Sequence, residues 1–385
     1  MVFRGKASTT IVGDRPDMGP FWQESALPGF KDRVHREEAA ARHEHGVAVL
    51  VPMGGEAGIW GPSCISSAQL AIAEINRTNG IGGRPVAPLF LNSDDSNTDA
   101  LEREISTLLD DGSIHALIGM NVSSVRQRLN KILRGKIPYI YTPLYEGNER
   151  SPNVYTIGET PDDQLRPAIR YLSETLRVRR WALIGNDYVW PRTSHAVAKD
   201  SIAASGGIVT FDDYVPFGIE AAEDLVDRIA QTKPDIVLVS LVGQDSVEFH
   251  RAFGQRGLDR SIFRFSTAVE ENILMAAGAE NTKRLFAAAA YFSGLQTPEN
   301  ETFKERYQAQ HKGRPPVLNA LGQSVYEGIH FYAAMLNQRR TGTPGPIRYQ
   351  SARGGCFLSN NRKKLPIYLS RADGHDFQIL DKISG

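Results

Sequence analysis

The sequence predicts an α/β protein built as two Rossmann-like lobes, and three observations predict it. Short apolar runs alternate with amphipathic segments of helical period, the pattern of parallel strands covered by helices on both faces. The alternation pauses over residues 151–163 and then restarts for a second cycle of similar extent. The chain has 385 residues, more than the roughly 100–200 of an ordinary domain.

Residues 1–30 scatter glycine, proline, Phe21 and Trp22 without a period and read as an irregular arm. Residues 31–45 permit a highly charged helix whose apolar run is Ala39, Ala40 and Ala41. His35, His43 and His45 read there as part of a solvated polar face rather than a metal set. From Gly46 the pattern becomes regular. A buried strand over 47–52 leads into a Gly-rich loop, 53–61, and an amphipathic helix over 66–76. Asn79-Gly-Ile-Gly-Gly83 closes that helix with residues that tolerate positive φ. The first cycle continues with strand 85–91, helix 99–109, strand 115–119, helix 123–133 and strand 137–141.

The second cycle has strands at 181–184, 208–211, 236–240 and 263–265, with helices at 167–176, 192–204, 221–231 and 246–255. A strand over 286–292 carries the chain back toward the first lobe, where helices 299–310 and 322–336 follow. Strands 365–369 and 377–380 flank Asp373-Gly374, a strong hairpin signal. The division expected is an arm, 1–45, partly disordered or helical; a first lobe, 46–160 plus 290–345; and a second lobe, 161–289 plus 346–385.

Composition excludes several classes. Lys and Arg number 44 and so do Asp and Glu, so no global field draws the protein to nucleic acid or an anionic membrane. Cys64 and Cys356 match no zinc or redox spacing, which gives no metal site and no disulfide framework. No window approaches the roughly 18 apolar residues of a membrane helix. The start is basic, but Asp14, Arg15 and Asp17 leave no apolar stretch after it. The expectation is a cytoplasmic protein as the chain is written, and a periplasmic one if its start is mis-assigned or trimmed.

Catalytic and cofactor motifs are missing. Met53-Gly-Gly-Glu-Ala-Gly-Ile-Trp-Gly61 spaces its glycines differently from G-x-G-x-x-G and puts Trp60 where a dinucleotide needs open backbone. Neither G-x-x-x-x-G-K-[ST], G-x-S-x-G nor H-E-x-x-H occurs. The expectation is therefore a non-enzyme without a cofactor. The ligand wall is sought instead in Ile184-Gly-Asn-Asp-Tyr-Val-Trp-Pro-Arg-Thr193, a loop at the carboxyl end of a parallel strand, where open α/β sheets bind ligands. In an extended segment Tyr188 and Trp190 would project from one face, each with an apolar body and a polar tip.

Several stretches carry a resemblance: Ala71-Ile-Ala-Glu-Ile-Asn76, Gly80-Ile-Gly-Gly-Arg-Pro85, Gly119 with Ser123, and Tyr141 with Tyr145-Glu-Gly147. Asp187-Tyr188, Pro191-Arg192, Glu270 and Tyr291-Phe-Ser293 continue it. Over roughly 46–382 the chain resembles the type I periplasmic-binding-protein family, in its amide and urea branch. That branch holds the cytoplasmic amide sensor of the aliphatic amidase operon and the solute-binding subunits of urea and short-chain-amide ABC transporters. The resemblance implies two lobes joined by a three-crossover hinge, with ligand clamped between them.

It also implies site residues. Ser123 matches the family's ligand serine; with Ser124 it opens a helix, where hydroxyls and free N–H groups hold a carbonyl or carboxylate oxygen or simply cap the helix. Tyr141 matches a site tyrosine, against plain core packing. Thr142 stands one place ahead of the family's threonine. Tyr188 matches an aromatic that closes over ligand, and Trp190 stands where the family has Tyr or Phe. Glu270 is placed at the cleft rim, where it would accept from an amide or ammonium or form a rim salt bridge. Gly243 follows a strand end, and Trp60 with Ile59 would form a lid.

The function expected is a non-catalytic receptor that closes on a short amide, urea or a small amino acid. The first role expected is a sensor acting through a regulator protein. The alternative is a substrate-binding protein that presents amides, urea or branched-chain amino acids to an ABC permease. The resemblance further implies a homo-oligomer.

Overall fold

The computed structural model describes residues 44–384 apart from 95, 97, 355, 360 and 361. The expected arm and charged helix lie outside the described residues up to position 43. His45, expected on a solvated helix face, instead opens β1 (His45–Val51) and is buried. Its ring nitrogens meet the Tyr332 hydroxyl at 2.7 Å and the Arg84 guanidinium at 2.8 Å. Burial, with His115 and Arg84 nearby, holds its pKa down to about 4.

β1 is wholly apolar after Gly46 and fully buried, as a central parallel strand must be. A 3-10 turn, Glu56–Trp60, leads into α1 (Gly61–Arg77). Then come β2 (Val86–Asn92), α2 (Thr98–Asp110), β3 (Ala116–Gly119), α3 (Ser123–Leu133) and β4 (Tyr139–Tyr141). β5 (Val154–Thr156) lies inside the segment read as a mere connection; three residues are too few for a periodic signal. The order is β2-β1-β3-β4-β5, with every pairing parallel.

The second lobe begins with α4 (Pro161–Thr175), whose capping box joins Thr160 and Asp163. β6 (Arg180–Asn186), α5 (Val189–Ala204), β7 (Ile208–Val215), α6 (Ala222–Gln231) and β8 (Ile236–Ser240) follow. Next are α7 (Gly243–Gln255), β9 (Phe263–Ser266), α8 (Glu271–Ala277) and β10 (Leu285–Ala289). β10 stops short of 292 because the Ala290 N–H turns to the Glu159 carboxylate, 2.8 Å away.

The chain then returns to the first lobe. α9 (Pro298–Gln310) and α10 (Ala320–Thr341) pack on α1. At Gly322 the helices come so close that a Cβ would sit 2.0 Å from Ser63 Oγ. A small antiparallel sheet follows, β11 (Ile347–Arg348), β12 (Cys356–Ser359) and β13 (Arg362–Lys364). The whole of 346–385 was expected in the second lobe. Phe357 instead packs on Tyr155 and Phe331 of the first, with ring centroids 6.0 and 5.0 Å apart. β14 (Ile367–Asp373) and β15 (Asp376–Ser384) do join the second sheet, whose order is β15-β14-β10-β9-β8-β6-β7. They are antiparallel around Gly374, which takes φ +65°.

The chain thus passes between lobes three times, at 157–160, 290–297 and 365–366. A buried ion cluster anchors the first of these passages. Arg353 donates to Glu159 at 3.1 Å and to Glu327 of α10 at 2.9 Å.

Candidate ligand-binding cleft

Parallel strands of both lobes end at a common gap. On the first-lobe side β3 ends at Gly119, where φ is +147° and a Cβ would sit 2.1 Å from the Leu50 carbonyl. Met120, Asn121 and Val122 then lead into α3. Across the gap, the Asn186 side chain at the end of β6 accepts from the Val242 N–H at 2.8 Å and donates to Asp245 at 2.6 Å. That pair fixes the β6 and β8 loops relative to each other.

Between them lies a cavity of about 360 Å³ of atom-free space, its mouth included. Trp60, Ser123, Tyr141, Leu144 and Leu321 line it from the first lobe; Tyr188, Trp190, Val242 and Ala268 line it from the second. A larger furrow of about 2270 Å³ opens beside α1 and α10, lined by Arg84, Arg306 and His330. It belongs to one lobe, so the gap where strands of both lobes end is the better candidate.

Five of the sequence-derived residues meet in this cavity: Ser123, Tyr141, Tyr188, Trp190 and Trp60. Ser123 does not cap its helix, because Val122 holds that position. Its hydroxyl meets the Tyr141 hydroxyl at 3.4 Å, and Tyr141 donates to the Asn121 carbonyl at 2.7 Å. Beneath them Arg126 is buried, its guanidinium 4.8 Å from the Tyr141 ring centroid and paired with Glu146 and Glu149. Burial pushes the Tyr141 hydroxyl up to about 12, against the pull of Arg126.

The extended segment expected at 188–190 is shorter. Tyr188 is extended, with φ −151°, but Val189 already begins α5, so Trp190 and Pro191 sit in its first turn. Proline is tolerated there because first-turn N–H groups have no intrahelical acceptor. The two rings still neighbour each other, with centroids 6.3 Å apart, and Phe217 backs Tyr188 at 5.3 Å.

Four expected residues lie outside the lining. Thr142 follows Tyr141 and so faces the other way, toward α10, where a Cβ on Gly328 would sit 2.4 Å from its methyl. Ser124 is one helical step round from Ser123 and half-buried. Gly243, at φ +53°, instead touches the first lobe: a Cβ there would sit 1.8 Å from the Glu56 carbonyl oxygen.

Glu270 is not on an exposed rim, and it forms no salt bridge among the described residues. It is 5 % exposed and accepts from the Trp60 indole at 2.8 Å. Burial, with Glu271 adding repulsion, pushes its pKa up to about 8, although the Trp60 hydrogen bond pulls the other way. Asn272 donates to the Ile59 carbonyl at 3.0 Å. The 3-10 turn of the first lobe is therefore held from the second.

Sequence reasoning missed Arg126, Leu321 and Ala268. Arg126 had a weak signal, three places after Ser123 on one helix face; the two apolar residues had none. Among the described residues no helix is long and apolar enough to cross a membrane, and no three His, Cys, Asp or Glu are grouped to hold a metal.

Two α/β lobes enclosing a cavity at their strand ends define a bilobal binding-protein fold. The chain belongs to the periplasmic binding protein family, which it matches over residues 45–348. Among solved structures it is similar to a solute-binding protein of an ABC transporter from Rhodopseudomonas palustris HaA2, in complex with p-hydroxybenzoic acid. That pair shares 17 % identity and a TM-score of 0.78, covering 89 % of this chain and 98 % of the other. It is also similar to the branched-chain amino acid transporter substrate-binding protein of Streptococcus pneumoniae in complex with isoleucine. There identity is 14 % and the TM-score 0.75, covering 88 % and 99 %. An ABC transporter substrate-binding protein from Sphaerobacter thermophilus matches at 21 % identity and TM-score 0.74, over 89 % and 98 %. At such identities the likeness carries the fold.

Proposed function

We propose that this chain is a non-catalytic solute receptor of an ABC transporter, closing its lobes on a small polar molecule and presenting the closed form to a permease. The single observation that carries this reading is the shared cavity, with Ser123, Tyr141 and Trp60 on one wall and Tyr188 and Trp190 on the other. Neutral hydroxyls and aromatic faces suit a carbonyl group on a compact body. Short amides and urea, the ligands of the resembled branch, fit that description. The named relatives are transporter subunits, which supports this role over that of a sensor with a regulator protein.

Their ligands, a hydroxybenzoate and isoleucine, differ in charge and shape. The cavity walls of this chain therefore carry the choice of ligand class. A thermal-shift panel of acetamide, urea, benzamide, benzoate and leucine tests the reading. A ligand at about 100 times its Kd adds roughly 2.7 kcal/mol of stability. A panel in which no compound moves the midpoint removes the receptor reading.

A further inference from the structure

Trp60 has two roles in one side chain. Its ring is a wall of the cavity, and its Nε1–H is donated to Glu270 Oε2, 2.8 Å away on the opposite lobe. Glu270 itself is not part of the wall, and its carboxyl accepts from the indole that is. The turn that carries Trp60 cannot easily swing aside. Asn272 holds the Ile59 carbonyl at 3.0 Å, and Gly243 lies directly against the Glu56 backbone.

What faces a ligand is uncharged. Among the described residues that line the cavity, the polar groups are Asn121, Ser123, two tyrosine hydroxyls and two indoles, with no acidic or basic side chain. The Arg126 guanidinium behind Ser123 is taken up by Glu146 and Glu149, at 2.5 and 2.9 Å. An ammonium group would enter without a counter-ion, among the costliest things a protein interior can bury. A planar carbonyl group needs only hydrogen-bond donors at one end and flat apolar walls on its faces.

We propose that Trp60 is a selectivity determinant that withholds the Glu270 carboxyl from the ligand, so that the cleft takes planar carbonyl compounds lacking an ammonium group and rejects α-amino acids. This rests on the solute-receptor reading. Amides and carboxylates share the carbonyl chemistry, and separate probes distinguish them.

Titration calorimetry with benzamide, benzoate and leucine on the full chain tests it. The better of the two planar probes binds at least ten-fold tighter than leucine. Trp60→Phe, which cannot donate to Glu270, shifts the ratio at least ten-fold toward leucine, and Trp60→Phe with Glu270→Gln cancels the shift. Glu270→Gln alone keeps an acceptor for the indole and leaves the ratio unchanged. It also serves as the test if Trp60→Phe does not fold, since lost leucine affinity in Glu270→Gln means that the carboxyl already meets the ammonium. That result, a wild-type preference for leucine, or an unmoved ratio in folded Trp60→Phe overturns the inference and leaves the receptor reading standing. Silence with all three probes and in the thermal panel removes both.

Discussion

Arg353 donates from Nη1 to Glu159 Oε1 at 3.1 Å, a bond between residues 194 positions apart that anchors the first passage between lobes. Its Nε reaches Glu327 at 2.9 Å, and all three side chains are nearly sealed from solvent. Breaking a buried ion pair from one side leaves uncompensated charge and typically costs about 3–5 kcal/mol. Arg353→Met is expected to lose stability in that range in urea denaturation. A loss below about 1 kcal/mol means that the cluster is not a structural tie.

Glu270 makes stability depend on pH. Its carboxyl holds a proton up to about pH 8 in the folded chain, whereas an ordinary glutamate releases it near 4.5. Between these values the folded state binds the extra proton, so the contribution is complete below the lower value and drains away as pH rises toward the upper. The slope is at most about 1.4 kcal/mol per pH unit. His45 and other groups titrate too, so the measurement is wild type minus Glu270→Gln from about pH 5 to about pH 8. A flat difference would show that the carboxyl is ionised in the fold.

Tyr188 is expected to carry ligand affinity through its ring. Losing the burial of one large side chain costs roughly 1.5–3 kcal/mol, so Tyr188→Ala weakens whichever panel compound binds by about 10- to 150-fold. Calorimetry on a variant of native circular dichroism reads this directly. Unchanged affinity removes Tyr188 from the site.

Gly243→Ala tests the contact between lobes. The new methyl would sit 1.8 Å from the Glu56 carbonyl oxygen, on a backbone at φ +53° that side chains rarely adopt. The lobes must separate to relieve it. Small-angle scattering is expected to show a larger radius of gyration and calorimetry a weaker ligand affinity, with secondary structure preserved. A radius equal to wild type argues against this contact as a stop.

The alternating pattern was enough to place β1 and most strands and helices, because a strand buried on both faces must be continuously apolar. Short or pairing-dependent elements escaped it: β5 has three residues, and β11–β13 hold together through Phe357 packing against residues far away in sequence. At the cavity, position at strand ends together with the family resemblance pointed to Ser123, Tyr141 and Tyr188. Thr142 and Ser124 fell outside because one residue's step reverses a strand side chain and turns a helical one by about 100°. The partners of Glu270 and Arg353 could not be read at all, since contacts between residues far apart in sequence leave no local spacing.

The threefold passage between lobes has a practical consequence for anyone cutting the gene. A fragment covering 161–289 carries β10 but not β14, its antiparallel neighbour along Phe286–Ala289. Such a fragment bares a hydrogen-bonding margin that other chains can extend into fibres or clumps. No single cut yields two soluble halves; the second lobe can be isolated only by splicing 365–384 back onto it.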